Sequence, residues 1–159
     1  MKFIRLTLLA LAFASLSTAA LAQAVDVKGA WARATVQGQM ATGVFMTLTA
    51  KERSQLVSIK SPVAGVAEVH EMKMDGDVMK MRAVEGGLAL PAGKAVELKP
   101  GGYHVMLMDL RTPLLKDTSI PMTLVFKDAK GALSNLGIMV PVSTTAPAGA
   151  SNGHAGHKM

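Results

Sequence analysis

The sequence contains no cysteine. A chain without cysteine cannot build a disulfide framework, so its fold has to rest on a hydrophobic core. The same absence removes every thiolate from the metal ligands that the chain can offer. Any metal site must therefore be built from imidazole, thioether or oxygen donors.

Aromatic residues and clustered charges are also scarce. Only 4% of the residues are aromatic, and the formal net charge of +6 is spread along the chain without a run of five basic residues. Nucleic-acid binding needs clustered positive charge, usually with aromatic side chains on which bases can stack. The composition therefore argues against a nucleic-acid-binding protein.

The first 22 residues have the layout of a secretory signal peptide. Lys2 and Arg5 form a basic head, an apolar run extends from Leu6 to Leu16, and Ala20-Leu21-Ala22 has the form of a cleavage site. The apolar run is shorter than the roughly 20 residues that cross a bilayer. We predict that residues 1–22 are cleaved and that the protein works in the periplasm.

Short segments follow that are separated by turn-forming Gly, Pro and Asp residues. None of them has apolar residues at helical spacing over a useful length. The pattern predicts an all-β fold, a single antiparallel β-sandwich with Greek-key connections over residues 23–142. The predicted strands are Val25–Arg33, Val44–Thr49, Gln55–Lys60, Val66–Met72, Val78–Val84, Ala95–Leu98, His104–Leu110, Thr123–Lys127 and Leu136–Val142.

Methionine is abundant, with 12 residues in the chain, and six of them lie together with two histidines between His70 and Met108. Residues i and i+2 of a strand project to the same face. Three groups therefore share a face within their own strand, and Val105 and Leu107 point the other way, toward the expected core. The groups are His70, Met72 and Met74; Met79 and Met81; and His104, Met106 and Met108.

These donors have a metal preference. Thioether sulfur is a soft, uncharged donor and imidazole is borderline, so together they favour Cu(I) over hard ions. Calcium and magnesium need oxygen ligands, and zinc sites use Cys, His and carboxylates. A blue-copper electron-transfer centre needs a Cys thiolate. Neutral ligands also allow release to a thiolate-bearing acceptor, which favours transport over redox turnover.

Ordinary packing is the competing interpretation for each methionine, because Met fills irregular cores well. We assign Met46, Met122 and Met139 to the core on this ground. Two other functions compete with a copper carrier: a copper-dependent redox enzyme, and a structural or adhesive β-domain. The sequence has no evident Ser/His/Asp or paired-carboxylate arrangement, which favours a binding protein over an enzyme.

The His and Met spacing resembles that of the periplasmic Cu(I) chaperones of the PCu(A)C family. The hallmark of that family is a His, a Met after ten intervening residues, and a distal His-x-Met. Here ten residues separate His70 from Met81, and His104-Val105-Met106 follows after 22 more. The segments HEMKMDGDVMKMR, LKPGGYHVMLMDL and GAWARAT also resemble the family.

The resemblance implies a cupredoxin-like β-sandwich that binds one Cu(I) through His70, Met81, His104 and Met106. It also implies delivery of copper to an oxidase subunit during cytochrome c oxidase assembly, alongside a Sco-type thiol protein. Copper scavenging, import or tolerance in the periplasm is the alternative role.

Two further groups of donors lie outside this motif. Met72, Met74, Met79 and Met108 are expected to form a hydrophobic collar that excludes water, with a relay for the ion as the alternative. Residues 143–159 are rich in Ser, Thr, Ala, Gly and Pro and are predicted to be a disordered tail. Within that tail, His154, His157 and Met159 form a possible second copper site, whose imidazoles suit Cu(II).

Overall fold

A computed structural model describes residues 24–148 and shows an all-β domain. Within these residues, ten strands follow one another. They are β1 (Val25–Arg33), β2 (Ala41–Ala50), β3 (Ser54–Lys60), β4 (Ala64–Asp75), β5 (Val78–Ala83), β6 (Leu88–Leu90), β7 (Ala95–Leu98), β8 (His104–Leu110), β9 (Ser119–Asp128) and β10 (Leu133–Ser143). The predicted fold class is confirmed.

The strands form two sheets that are joined along one strand pair. The first sheet has the order β5-β4-β8-β2-β1, with β7 also paired to β2, and the second has the order β10-β9-β3-β6. The chain crosses between the sheets after β2, β3, β5, β6 and β8, as the connections of a Greek-key sandwich do. This order places β5, β4, β8 and β2, which carry the Met and His donors, side by side.

The core lies on one face of each strand. Val69 and Val105 are directly opposite each other on β4 and β8, and both are buried. Leu107 is also fully buried on the core face of β8. The next positions along both strands, among them His70 and His104, therefore project from the outer face of the first sheet.

The β4–β5 hairpin turns at Asp75-Gly76-Asp77, as the sequence predicted. Gly76 has a φ of +63°, which a residue without a β-carbon adopts at little cost. The turn sets the register in which Met72 is opposite Met81 and Met74 is opposite Met79. Turn chemistry thus determines which thioethers become neighbours.

Three details differ from the prediction. Strand β6 was missed, and β1 pairs with β10 in parallel at Ala32 and Val142, which ties the two sheets together. Met46 and Met122 are buried as expected, but the assignment of Met139 to the core was wrong, because 62% of it is exposed. Val140 occupies the inward position of β10, so the preceding residue faces solvent.

The predicted signal peptide and the three donors of the predicted tail site, His154, His157 and Met159, lie outside the described residues. Within residues 24–148, no helix has the length and apolar character that crossing a membrane requires.

Candidate metal centre

The β4, β5 and β8 strands bring the predicted donors to one face of the first sheet. His70 is directly opposite His104 across the β4–β8 pair, and Met72 is directly opposite Met81 across the β4–β5 pair. Met106 follows His104 on the same face of β8 and is opposite Gly43 of β2. Residues that are far apart in the sequence therefore become neighbours through strand pairing alone.

His104 and Met81 are in direct contact. The Nε2 atom of His104 lies 3.2 Å from Sδ of Met81, and Nδ1 of the same ring lies 3.2 Å from the carbonyl oxygen of Gly102. A neutral imidazole donates from one nitrogen and accepts at the other. The carbonyl is the stronger acceptor, so Nδ1–H donates to Gly102 and the Nε2 lone pair faces the sulfur.

Two lone pairs therefore face each other at this contact with no proton between them. Sulfur and imidazole nitrogen arranged in this way form an uncharged pair of soft donors for a cation. The hydrogen bond from Nδ1 to Gly102 also fixes the orientation of the ring, as the outer partners of metal-bound histidines do. The contact is thus suited to binding a soft metal ion.

The pair lines an open cavity of about 320 Å³ on the outer face of the sheet. Met106 and Met72 add two more thioethers to its lining. Three of the four predicted donors, Met81, His104 and Met106, therefore line one cavity. Met72, which is not part of the four-residue motif, lines it as well. The other lining residues are Arg33, Gln39, Ala41, Thr42, Gly43, Phe45, Pro100 and Gly101. None of the lining side chains is a carboxylate.

His70 does not line this cavity. Its ring lies beside that of His104, with 6.0 Å between the ring centroids and an edge-to-face angle of 61°. The Nε2 atom of His70 lies 3.2 Å from Oε2 of Glu68, and Nδ1 is buried without a hydrogen-bond partner. The fourth predicted donor therefore lies beside His104 and outside the cavity lining, with its Nδ1 atom free of a hydrogen-bond partner.

An aromatic cluster closes the other side of the cavity. Phe45 packs against Trp31 with 4.8 Å between the ring centroids, and its centroid lies 6.4 Å from that of His104. The guanidinium carbon of Arg33 lies 5.6 Å from the Phe45 centroid, within reach of a cation–π interaction. The apolar wall limits the access of water to the Met and His donors from this side.

Sequence reasoning missed this wall, although the chain carried a signal for it. Gly43 lies inside β2, and a glycine inside a strand often marks a close approach of another group. The Phe45 ring leaves no room for a β-carbon on Gly43, since Cζ of the ring would be only 2.8 Å away from it. The donors that converge among residues 24–148 are imidazoles and thioethers, and no group of three His, Cys, Asp or Glu there could hold a metal ion.

Fold and site together define a class: β-sandwich domains with an outward-facing His and Met site. A family model described as LpqE-like matches residues 25–142, and the chain belongs to this family. A relative from Leifsonia xyli subsp. xyli, whose name describes a lipoprotein, is 32% identical over 121 residues, which cover 76% of this chain and 70% of the relative.

Solved structures with the same fold include PCuAC domains, and the resemblance seen in the sequence is confirmed. The copper-bound PCuAC domain from PmoF2 has a TM-score of 0.61 at 23% identity and covers 77% of this chain and 95% of that domain. At this identity the likeness shows the fold alone. The solution structure of Cu(I)-DR1885 from Deinococcus radiodurans has a TM-score of 0.60 at 29% identity, covering 82% of this chain and 86% of the neighbour.

Proposed function

We propose that the protein is a non-enzymatic carrier of Cu(I) that works outside the cytoplasm. The observation that carries the proposal is the contact between His104 and Met81. A soft sulfur and an imidazole lone pair face each other there at 3.2 Å, inside a cavity whose lining has thioethers and no carboxylate. The names of the structural neighbours from PmoF2 and Deinococcus radiodurans, which describe copper-bound domains, support the same choice of metal.

Met81, His104 and Met106 hold the ion in this proposal, and His70, which lies opposite His104 on the neighbouring strand, completes the set. All four ligands are neutral, so the bound ion keeps its single positive charge in a site that is partly open to solvent. A thiolate adds negative charge and is a softer donor, so an acceptor with cysteine can take the ion without any redox step. The absence of cysteine in the chain is consistent with a donor role.

The proposed destination is the copper site of cytochrome c oxidase, reached through an oxidase subunit or a Sco-type thiol protein. This destination rests on the family resemblance. The lipoprotein description of the family and of the relative from Leifsonia xyli supports an exported protein, with the periplasm as the proposed compartment.

Anaerobic competition with a chromophoric Cu(I) chelator tests the metal site. The wild-type chain should hold one tightly bound Cu(I), and X-ray absorption should report both sulfur and nitrogen neighbours. Losing an outer partner of a metal ligand costs about 10–100-fold in affinity. Replacing two direct ligands in Met81→Leu/Met106→Leu should weaken binding by at least about that factor.

The matched control is Met139→Leu, which replaces an exposed methionine on β10. It should leave the affinity unchanged. Full Cu(I) affinity in the double variant would refute the proposed site. Sustained oxidation of a reductant by the copper-loaded protein in air would instead favour the redox enzyme considered from the sequence.

A further inference from the structure

The β4–β5 hairpin separates its side chains by chemistry. Two thioether pairs lie on one face, Met72 with Met81 and Met74 with Met79. The intervening positions carry charges on the other face, where Lys80 pairs with Asp75 and Arg82 pairs with Glu71. The hairpin therefore has one face with ion pairs and one face on which two successive cross-strand pairs are both Met–Met.

The two methionine pairs differ in their surroundings. Met72 and Met81 line the cavity with His104, although Met81 is itself 47% exposed, whereas Met74 and Met79, one step closer to the turn, lie outside the cavity lining and are 55% and 51% exposed. Side chains that are half exposed cannot exclude water, so Met74 and Met79 do not serve as the collar expected from the sequence. The structure instead places two successive methionine pairs on this face of the hairpin, the first at the cavity and the second nearer the turn.

Apolar packing alone does not explain why these positions carry methionine. Strands favour β-branched and aromatic residues, and an exposed apolar pair near a hairpin tip buries little surface. The property that methionine adds over leucine or valine is a soft, uncharged sulfur donor on a flexible arm. A cross-strand pair has its β-carbons about 4.5–5.5 Å apart, from which two flexible arms can close on one ion.

We propose that Met74 and Met79 form a second, weaker Cu(I) site at the surface. The copper ion moves between this site and His104 by way of Met72 and Met81. This inference rests on the proposed function. Each step breaks a bond from copper to one thioether and forms a bond to the next. Copper stays Cu(I) throughout, and no proton is released because thioethers carry none. With two thioethers and no imidazole, the surface pair should bind more weakly than the cavity.

Methionine-methyl NMR of the full chain during anaerobic Cu(I) titration tests the second site. The first equivalent should shift the methyl resonances of Met81 and Met106. Further Cu(I) should then shift those of Met74 and Met79. In Met74→Leu/Met79→Leu, chelator competition should show that the weaker hairpin equivalent no longer binds while the affinity for the first equivalent is retained, and transfer of that first ion to a chelator should be slower.

Met139→Leu again supplies the control, because Met139 is an exposed strand methionine that lies opposite Pro121 rather than another methionine. It should change neither step. Methyl resonances of Met74 and Met79 that stay fixed beyond the first equivalent would overturn the hairpin site and leave the proposed function standing. A wild-type chain that binds no Cu(I) at either place would overturn both.

Discussion

The Nε2 atom of His70 lies 3.2 Å from Oε2 of Glu68, and Nδ1 of the same imidazole is buried without a hydrogen-bond partner. In the neutral ring, Nε2–H donates to the carboxylate and Nδ1 keeps the lone pair. A buried acceptor without a partner costs about 1–3 kcal/mol. Glu68 therefore holds His70 in the tautomer whose free nitrogen is the one shielded from water.

Glu68 should accordingly control how well His70 serves as a ligand. Glu68→Leu removes the acceptor of the Nε2 hydrogen, so the ring should lose its fixed tautomer, and Cu(I) affinity should fall by about 10–100-fold. Nitrogen NMR of the imidazole reports the tautomer directly, and chelator competition reports the affinity.

Glu68→Gln is the matched variant because its amide oxygen still accepts the hydrogen bond. It should keep the tautomer and most of the affinity. If Glu68→Leu binds Cu(I) as wild type does, or if its His70 ring keeps the same tautomer, the carboxylate has no positioning role.

A second prediction concerns a buried link between two segments far apart in the sequence. The Leu114 amide donates to Oγ1 of Thr35 over 2.8 Å, and the Thr35 amide donates to the Leu114 carbonyl over 2.9 Å. Thr35→Val keeps the shape but leaves the Leu114 amide without an acceptor. The free energy of unfolding in urea should fall by about 1–3 kcal/mol.

Thr35→Ser keeps the hydroxyl and should retain most of that stability. A valine variant as stable as wild type, with the loss confined to the serine variant, would mean that the methyl group, rather than the hydrogen bond, carries the effect. These contacts account for several residues of the GAWARAT segment. Trp31 and Arg33 contact Phe45, and Thr35 is hydrogen-bonded to Leu114 in the segment before β9.

Strands with clear alternation and marked ends could be predicted closely. The bounds of β1, β7 and β8 match the prediction residue for residue. Strand β6, Leu88–Leu90, is too short to show a period, and glycine-containing turns flank it on both sides. Its place depends on pairing with β3, which a local pattern cannot reveal.

The donors show the same division between local and long-range information. Alternation correctly placed His104 and Met106 on one face and Val105 and Leu107 on the other. It could not tell that Met72 lines the cavity while His70 does not, because this depends on how β4, β5 and β8 pair with one another. The exposure of Met139 was missed although alternation indicates it, because Met139 lies between Ile138 and the buried Val140 and so projects to the opposite face of β10.

The predicted tail site gives a third prediction, on Cu(II). His154 and His157 offer imidazoles, which suit Cu(II) better than the thioethers of the domain do. The wild-type chain should therefore bind Cu(II) with an electron paramagnetic resonance spectrum that shows nitrogen ligands. His154→Ala/His157→Ala should lose that signal and keep the tight Cu(I) equivalent.

His70→Ala/His104→Ala is the reciprocal control. It should keep the Cu(II) spectrum and lose Cu(I) binding. A Cu(II) signal that survives loss of the two tail histidines would assign the nitrogen ligands to the domain and refute the tail site.

The fourth prediction is that Gly43 keeps the cavity wall in place. Gly43→Ala would bring a β-carbon to 2.8 Å from Cζ of Phe45, so the ring has to move. Such overpacking costs about 1–3 kcal/mol of folding stability. Phe45 packs on Trp31, the single tryptophan of the chain, so the displacement should change the tryptophan emission.

Gly137→Ala is the control for this substitution. Gly137 also lies within a strand, β10, but a β-carbon there would meet nothing within 4 Å. The control should leave both the emission and the unfolding midpoint close to those of wild type, whereas Gly43→Ala should alter both and weaken Cu(I) binding, because Phe45 packs beside His104. Unchanged emission and affinity in Gly43→Ala would mean that the ring yields without cost and that the aromatic wall does not shape the metal site.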